Sequence, residues 1–168
     1  MTDINRALEI GGWMKIAELE WLAEHAVGCE RILELGTYRG RSAVAMLDNS
    51  DAHLWCVDTW NYKICTEKTL RIFRHNIIGQ ENRVTIMQMT TYEAARELAG
   101  KRFDMVFVDA AHAYHMVKQD ILDYLPLVKP GGLFCGHDYT PGETGVVKAV
   151  DELVPGFKTH DSIWWKRI

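Results

Sequence analysis

The stretch ILELGTYRGRS, residues 32–42, is where the fold declares itself. An apolar run from Arg31 to Leu35 carries a single carboxylate, Glu34, and breaks on Gly36. Gly40 follows, and the residues from about Arg41 to Leu47 then have helical character. Strand, tight turn and helix in that order are the opening half of a crossover unit, in which a parallel strand feeds a helix that returns across the sheet.

Working outward, the same alternation recurs. HLWCVD (53–58) reads as a second strand ending on Asp58, followed by a helix with Leu70, Phe73 and Ile77 on one stripe. A third strand covers Arg83 to Met89, and Thr90 with Glu93 makes a capping box for a helix through Leu98. A fourth strand covers Phe103 to Val108, and its helix places Val117, Ile121 and Leu125 on one face. KPGG is read as a turn, LFCGHD (133–138) as a fifth strand, and Val146 to Leu153 as a helix closed by Pro155-Gly156. Two strands near 157–160 and 162–167 end the chain as an antiparallel pair. Ahead of everything, Met14 to Ala26 reads as a helix with Ile16, Leu19, Ala23 and Ala26 on one face. The pattern predicts an α/β protein, a doubly wound sheet with helices on both faces, in one domain over residues 1–168.

Composition narrows the function. A charged fraction of 25% and a formal net charge of −4 offer no basic surface for nucleic acid or an acidic membrane. The four cysteines, Cys29, Cys56, Cys65 and Cys135, have neither CxxC nor zinc spacing and read as reduced residues. The N-terminus lacks the basic-then-apolar order of a signal peptide, and no apolar run approaches the ~20 residues of a membrane span. The cytoplasm is the expected compartment.

In open α/β sheets, ligands bind beyond the carboxyl ends of the strands. Four of the expected strands finish there on polar groups: Glu34 before the glycine turn, Asp58-Thr59-Trp60, Asp109 with His112, and His137-Asp138-Tyr139. The turn is not a dinucleotide fingerprint, because Tyr38 and Arg41 occupy the second and third glycine positions counted from Gly36. Glu34 would also repel a phosphate and instead suits an ammonium group. Asp58, 22 residues beyond Gly36, stands where an acidic residue hydrogen-bonds ribose hydroxyls. A ribose with a cationic tail and no pyrophosphate describes S-adenosylmethionine.

At this point the sequence resembles a class I S-adenosylmethionine-dependent methyltransferase of the compact branch related to catechol-type and macrolide-sugar O-methyltransferases. The resemblance runs through GWMKIAELEWLAEHA, ILELGTYRGRS, WCVDTW, the long block FDMVFVDAAHAYHMVKQDILDYLPLVKPGGLFCGHDY and GVVKAVDEL. It implies a Rossmann-like seven-stranded sheet of order 3-2-1-4-5-7-6 with the last strand antiparallel. It further implies that Glu34, Gly36, Thr37 and Ser42 meet the methionine part of the cofactor and Asp58 the ribose, with Tyr38 among the cofactor-binding residues. Thr59 and Trp60 would flank the adenosine, with Thr90 and Thr91 beside the adenine. Trp13 and Met14 match an opening motif and would close over the cofactor, where an aromatic face also attracts a sulfonium. Asp109 would serve both cofactor and catalysis.

Methyl transfer to a hydroxyl needs in-line approach and something to take or weaken the proton. Two devices are readable. Asp109 and Asp138 close adjacent strands and could share a divalent ion such as Mg²⁺. His137 stands where metal-dependent relatives supply a second oxygen, which shifts expectation toward a softer ion such as Mn²⁺ or Zn²⁺. Alternatively His112, an imidazole of ordinary pKa near ~6.5, is a general base. The leading expectation is O-methylation of a small hydroxylated acceptor. The alternatives are an N-methyltransferase, a nucleotide or sugar methyltransferase, and a non-catalytic cofactor-binding module. Only residues 1–13, 59–66 and 139–145 are free to shape an acceptor pocket, so either an open cleft or completion by a partner subunit is expected. Six tryptophans and an aromatic last strand make a homodimer plausible.

Overall fold

The computed structural model describes residues 2–168. Seven strands form one sheet in the order β3-β2-β1-β4-β5-β7-β6. They are β1 (Arg31–Leu35), β2 (His53–Asp58), β3 (Val84–Gln88), β4 (Phe103–Val108), β5 (Val128–Gly136), β6 (Lys158–His160) and β7 (Ile163–Arg167). The first five are parallel and β7 runs antiparallel to both β5 and β6. Strand order reverses between β1 and β4, so the crevice beyond Leu35 and Val108 is the natural ligand position.

The alternation of side chains along each strand divides the apolar residues between two faces. Ile32, Leu54, Cys56, Met105, Phe107 and Leu133 join one core with α2 (Ile16–Ala26) and α3 (Arg41–Leu47). Leu33, Leu35, Val57, Val106, Val108 and Phe134 join the other with α6 (Tyr114–Tyr124) and α7 (Thr144–Leu153). Each fully buried large side chain contributes about 1.5–3 kcal/mol. The remaining helices are α1 (Asn5–Glu9), α4 (Glu67–Asn76) and α5 (Thr91–Glu97). The expected Thr90–Glu93 box caps α5: Thr90 Oγ1 accepts from the Glu93 N–H at 3.2 Å, and the Glu93 carboxylate accepts from the Thr90 N–H at 2.9 Å.

Three local expectations are corrected. Helix α1 was not anticipated; its five residues bury only Ala7, too little for a periodic signal. KPGG lies within β5, where the register against β4 shifts between Phe103 and Met105 and the two glycines ride the irregularity. Ile16 opens α2 but is 57% exposed, and Glu18 takes a buried place on that helix instead.

Candidate active site

The glycine turn is built around backbone proximity. Gly36 has φ +87, and a Cβ there would lie 1.9 Å from the Asp109 carbonyl oxygen, so only glycine lets β1 and β4 approach at their ends. Its N–H continues the ladder to Val57, and the Asp109 N–H donates to Leu35, each at 2.8 Å. Glu34 is wholly buried and accepts a hydrogen bond from the Ser42 hydroxyl of α3. Burial pushes its carboxyl up to about 7, with Ser42 pulling the other way. Its second oxygen, Oε2, and the neighbouring Thr37 Oγ1 are buried without a hydrogen-bond partner. Two orphaned polar atoms beside a glycine cradle are what an ammonium-bearing ligand would satisfy.

Asp58 ends β2 as expected, but its carboxylate is already engaged. It accepts from the N–H of Tyr38 at 2.8 Å, the N–H of Trp60 at 3.0 Å and the Cys65 thiol at 3.1 Å. It therefore clasps the glycine turn to the 59–66 loop. The Trp60 side chain, expected beside the adenosine, is buried: it is 1% exposed, stacks on Phe73 and donates its indole N–H to the Tyr38 carbonyl at 2.8 Å. The large ring serves the core better than the cleft and buttresses the turn from beneath. Thr59 is half-buried beside it. Met14 is likewise core, whereas Trp13 is 70% exposed with its ring 5.1 Å from that of Tyr38. Thr91 is half-buried at the start of α5, where its carbonyl accepts from Tyr124.

A second cluster lies beyond the ends of β4 and β5. His112 Nε2 lies 2.9 Å from Asp138 Oδ2, and its Nδ1 lies 3.3 Å from Glu143 Oε2. Glu143 reaches this position because Gly145 lets the start of α7 press on the 112–114 backbone, where a Cβ would meet the His112 carbonyl at 2.2 Å. Asp138 stores strain at φ +62, in the left-handed region that non-glycine residues avoid. The bond to Asp138 raises the His112 pKa to about 9. As placed, His112 sits between the Asp138 and Glu143 carboxylates, which favour its charged form over the free base that the sequence suggested.

His137 Nδ1 faces Asp138 Oδ1 at 3.2 Å and Asp109 Oδ1 at 3.8 Å. One ligand atom from each of Asp109, His137 and Asp138 fits within 4.8 Å of the others. Octahedral ions bind oxygen at about 2.0–2.6 Å, so donors that close fit a single divalent ion. Burial raises the Asp109 carboxyl to about 7, with Asp138 adding to the effect and His137 opposing it. Burial works against charge on both His137 and Asp138, yet their mutual contact wins. His137 rises to about 10 and Asp138 stays well below the usual carboxylate range.

With this edge in view, comparison with other proteins settles the family. Residues 33–139, from β1 through the HDY turn, match the family described as methyltransferase domain. The chain belongs to that family. Its sheet order is that of class I S-adenosylmethionine-dependent methyltransferases. An uncharacterized protein of Sinorhizobium fredii, y4gI, is 32% identical over 137 residues, covering 74% of this chain and 15% of that protein. The methyltransferase domain here thus spans about 15% of that relative's length. Among solved structures, the O-methyltransferase from Bacillus cereus in complex with S-adenosylhomocysteine superposes with a TM-score of 0.75 at 17% identity. It covers 98% of this chain and 90% of that one. CalS11, a TDP-rhamnose 3′-O-methyltransferase of calicheamicin biosynthesis, has a TM-score of 0.72 at 13% identity, over 89% of this chain and 76% of its own. At these identities the likeness speaks for the fold.

Two contributors escaped the sequence reading. Glu18, wholly buried on α2, lies 3.1 Å from His137 Nε2, and Ser162 of the β6–β7 turn hydrogen-bonds Glu18. The only signal was a carboxylate four residues before Leu22 on a helical stripe. Among the described residues no helix is long and apolar enough to cross a membrane.

Proposed function

We propose that this domain transfers the methyl group of S-adenosylmethionine to a hydroxyl oxygen of a small acceptor held over Asp109, His112 and Asp138. The observation that carries the reading is the convergence of Asp109, His137 and Asp138 within 4.8 Å, beside the orphaned Glu34 and Thr37 oxygens on the neighbouring strand. Glu34 and the Gly36 turn receive the amino-acid part of the donor, and Asp58 receives the ribose. In-line displacement needs the acceptor oxygen about 3–3.5 Å from the methyl carbon, a task of positioning more than of bond chemistry. A divalent ion held by Asp109, His137 and Asp138 would lower the pKa of a coordinated acceptor hydroxyl. His112, kept charged by Asp138 and Glu143, orients the acceptor and balances the negative charge that builds on its oxygen as the hydroxyl proton passes to water in the open cleft.

The net charge of −4 favours a small molecule over nucleic acid as acceptor. The short rim segments leave the acceptor side open, and a second copy of the chain would close it.

The test is a panel of phenols, sugars and hydroxylated natural products incubated with labelled methyl donor, with and without EDTA. Transfer to a hydroxyl, lost in chelator and restored by divalent metal, is the expected result. Transfer confined to amines would move the chemistry to nitrogen, and full activity in chelator would return the proton to His112.

A further inference from the structure

Glu18 and Ser162 take no part in the transfer outlined above, yet they are 0% and 5% exposed and meet the site from segments far apart in sequence. Burying a carboxylate is costly unless it is well bonded. Glu18 accepts from the Lys15 N–H at 2.7 Å, from the Ser162 hydroxyl, and from the Ser162 N–H at 3.3 Å. Lys15 Nζ and Asp161 form an ion pair at 2.5 Å that ties the start of α2 to the same turn. The arrangement is thus fixed on both sides.

His137, 7% exposed, presents Nε2 to this pair, at 3.1 Å from both Glu18 Oε2 and Ser162 Oγ. The serine proton is committed to Glu18, so both neighbours of Nε2 offer lone pairs, and Nε2 must carry the ring hydrogen. That leaves Nδ1, with its lone pair in a neutral ring, pointing at Asp109 and Asp138. Three acceptor atoms then converge, and a cation between them completes the geometry.

We infer that Glu18 and Ser162 are positioning residues that fix His137 as a nitrogen ligand, and so bias the site toward a nitrogen-tolerant transition ion such as Mn²⁺ over Mg²⁺. A carboxylate behind a ligating imidazole sets its tautomer and strengthens it as a donor, and Mg²⁺ keeps to oxygen. The inference rests on the metal part of the proposed function and assigns to that site an ion class and a support.

The experiment uses the full chain stripped with EDTA. Mg²⁺ and Mn²⁺ are titrated separately by calorimetry, and bound Mn²⁺ is examined by pulsed EPR for coupling to ¹⁴N. The wild type is expected to bind Mn²⁺ at least about tenfold tighter than Mg²⁺, with a nitrogen coupling that His137→Asp abolishes. Glu18→Gln is expected to weaken Mn²⁺ about 10–100-fold and Ser162→Ala by a smaller factor, which serves if Glu18→Gln alters the thermal melt. Wild-type Mn²⁺ affinity in both variants, or no nitrogen coupling, overturns the inference while leaving the metal. No binding of either ion at millimolar concentration, with S-adenosylmethionine still bound, overturns the metal reading itself and favours a protonated His137 as the resident cation.

Discussion

The two halves of the carboxyl edge are assembled differently. The donor half, Glu34, Gly36, Thr37, Ser42 and Asp58, comes from one strand–turn–helix unit and the next strand, within 25 residues of sequence. The acceptor half draws Asp109 and His112 from the loop after β4, His137 and Asp138 from the turn after β5 and Glu143 from the start of α7, with Glu18 behind them from α2. The donor half is held by backbone: a glycine with no room for a Cβ and a carboxylate clasped by N–H groups. The acceptor half is held by charge, with two imidazoles distributed among four carboxylates. A site that must recognise one invariant donor can be built rigidly from local geometry. A site that must weaken a proton's hold needs titratable groups gathered from across the fold.

That contrast can be broken where it is sharpest. Asp109→Asn removes a charge from the acceptor half while keeping its shape, and turnover should fall about a thousandfold. S-adenosylmethionine affinity should change less than tenfold, as read by parallel kinetics and calorimetry. A comparable loss of donor affinity would mean that the halves are not separate.

Asp58→Ala attacks the donor half. Loss of the carboxylate proposed to accept from the ribose hydroxyls costs about 1–3 kcal/mol, so donor affinity should fall roughly 5–150-fold, and the thermal midpoint should drop because the clasp on the 59–66 loop is lost. Unchanged affinity with a lowered midpoint would make Asp58 a clasp only.

The third effect is smaller and depends on pH. Burial holds the Glu34 carboxyl neutral below about 7, whereas the donor's ammonium favours the charged form. Donor affinity should therefore be level above pH 7 and fall toward tenfold per unit as the pH drops below it, which calorimetry from pH 5.5 to 8.5 would show. Glu34→Gln should flatten the profile; a profile already flat in the wild type would separate Glu34 from the ammonium.

The same contrast explains what the sequence made legible. Spacing exposed the donor half, because Gly36, Asp58 and the Thr90–Glu93 cap are local features with fixed geometry. Strand order came from resemblance to a family, since periodicity alone does not say which strands are neighbours. The burial of Trp60 and Met14 was not legible, because an aromatic or thioether side chain next to a site has the same signature whether it faces the cleft or the core. His112 was correctly placed at the strand end, but its charge depends on Asp138 and Glu143, 26 and 31 residues further on. Glu18 was invisible for the same reason at greater range, 119 residues before His137.

The central claim is that the crevice beyond β1 and β4 receives a cationic, ribose-bearing methyl donor. Calorimetric titration of the purified chain with S-adenosylmethionine tests it most directly. Saturable binding in about the micromolar range, competed by S-adenosylhomocysteine and weakened by Glu34→Gln, is the expected result. No heat at millimolar donor, or binding indifferent to Glu34, would contradict it.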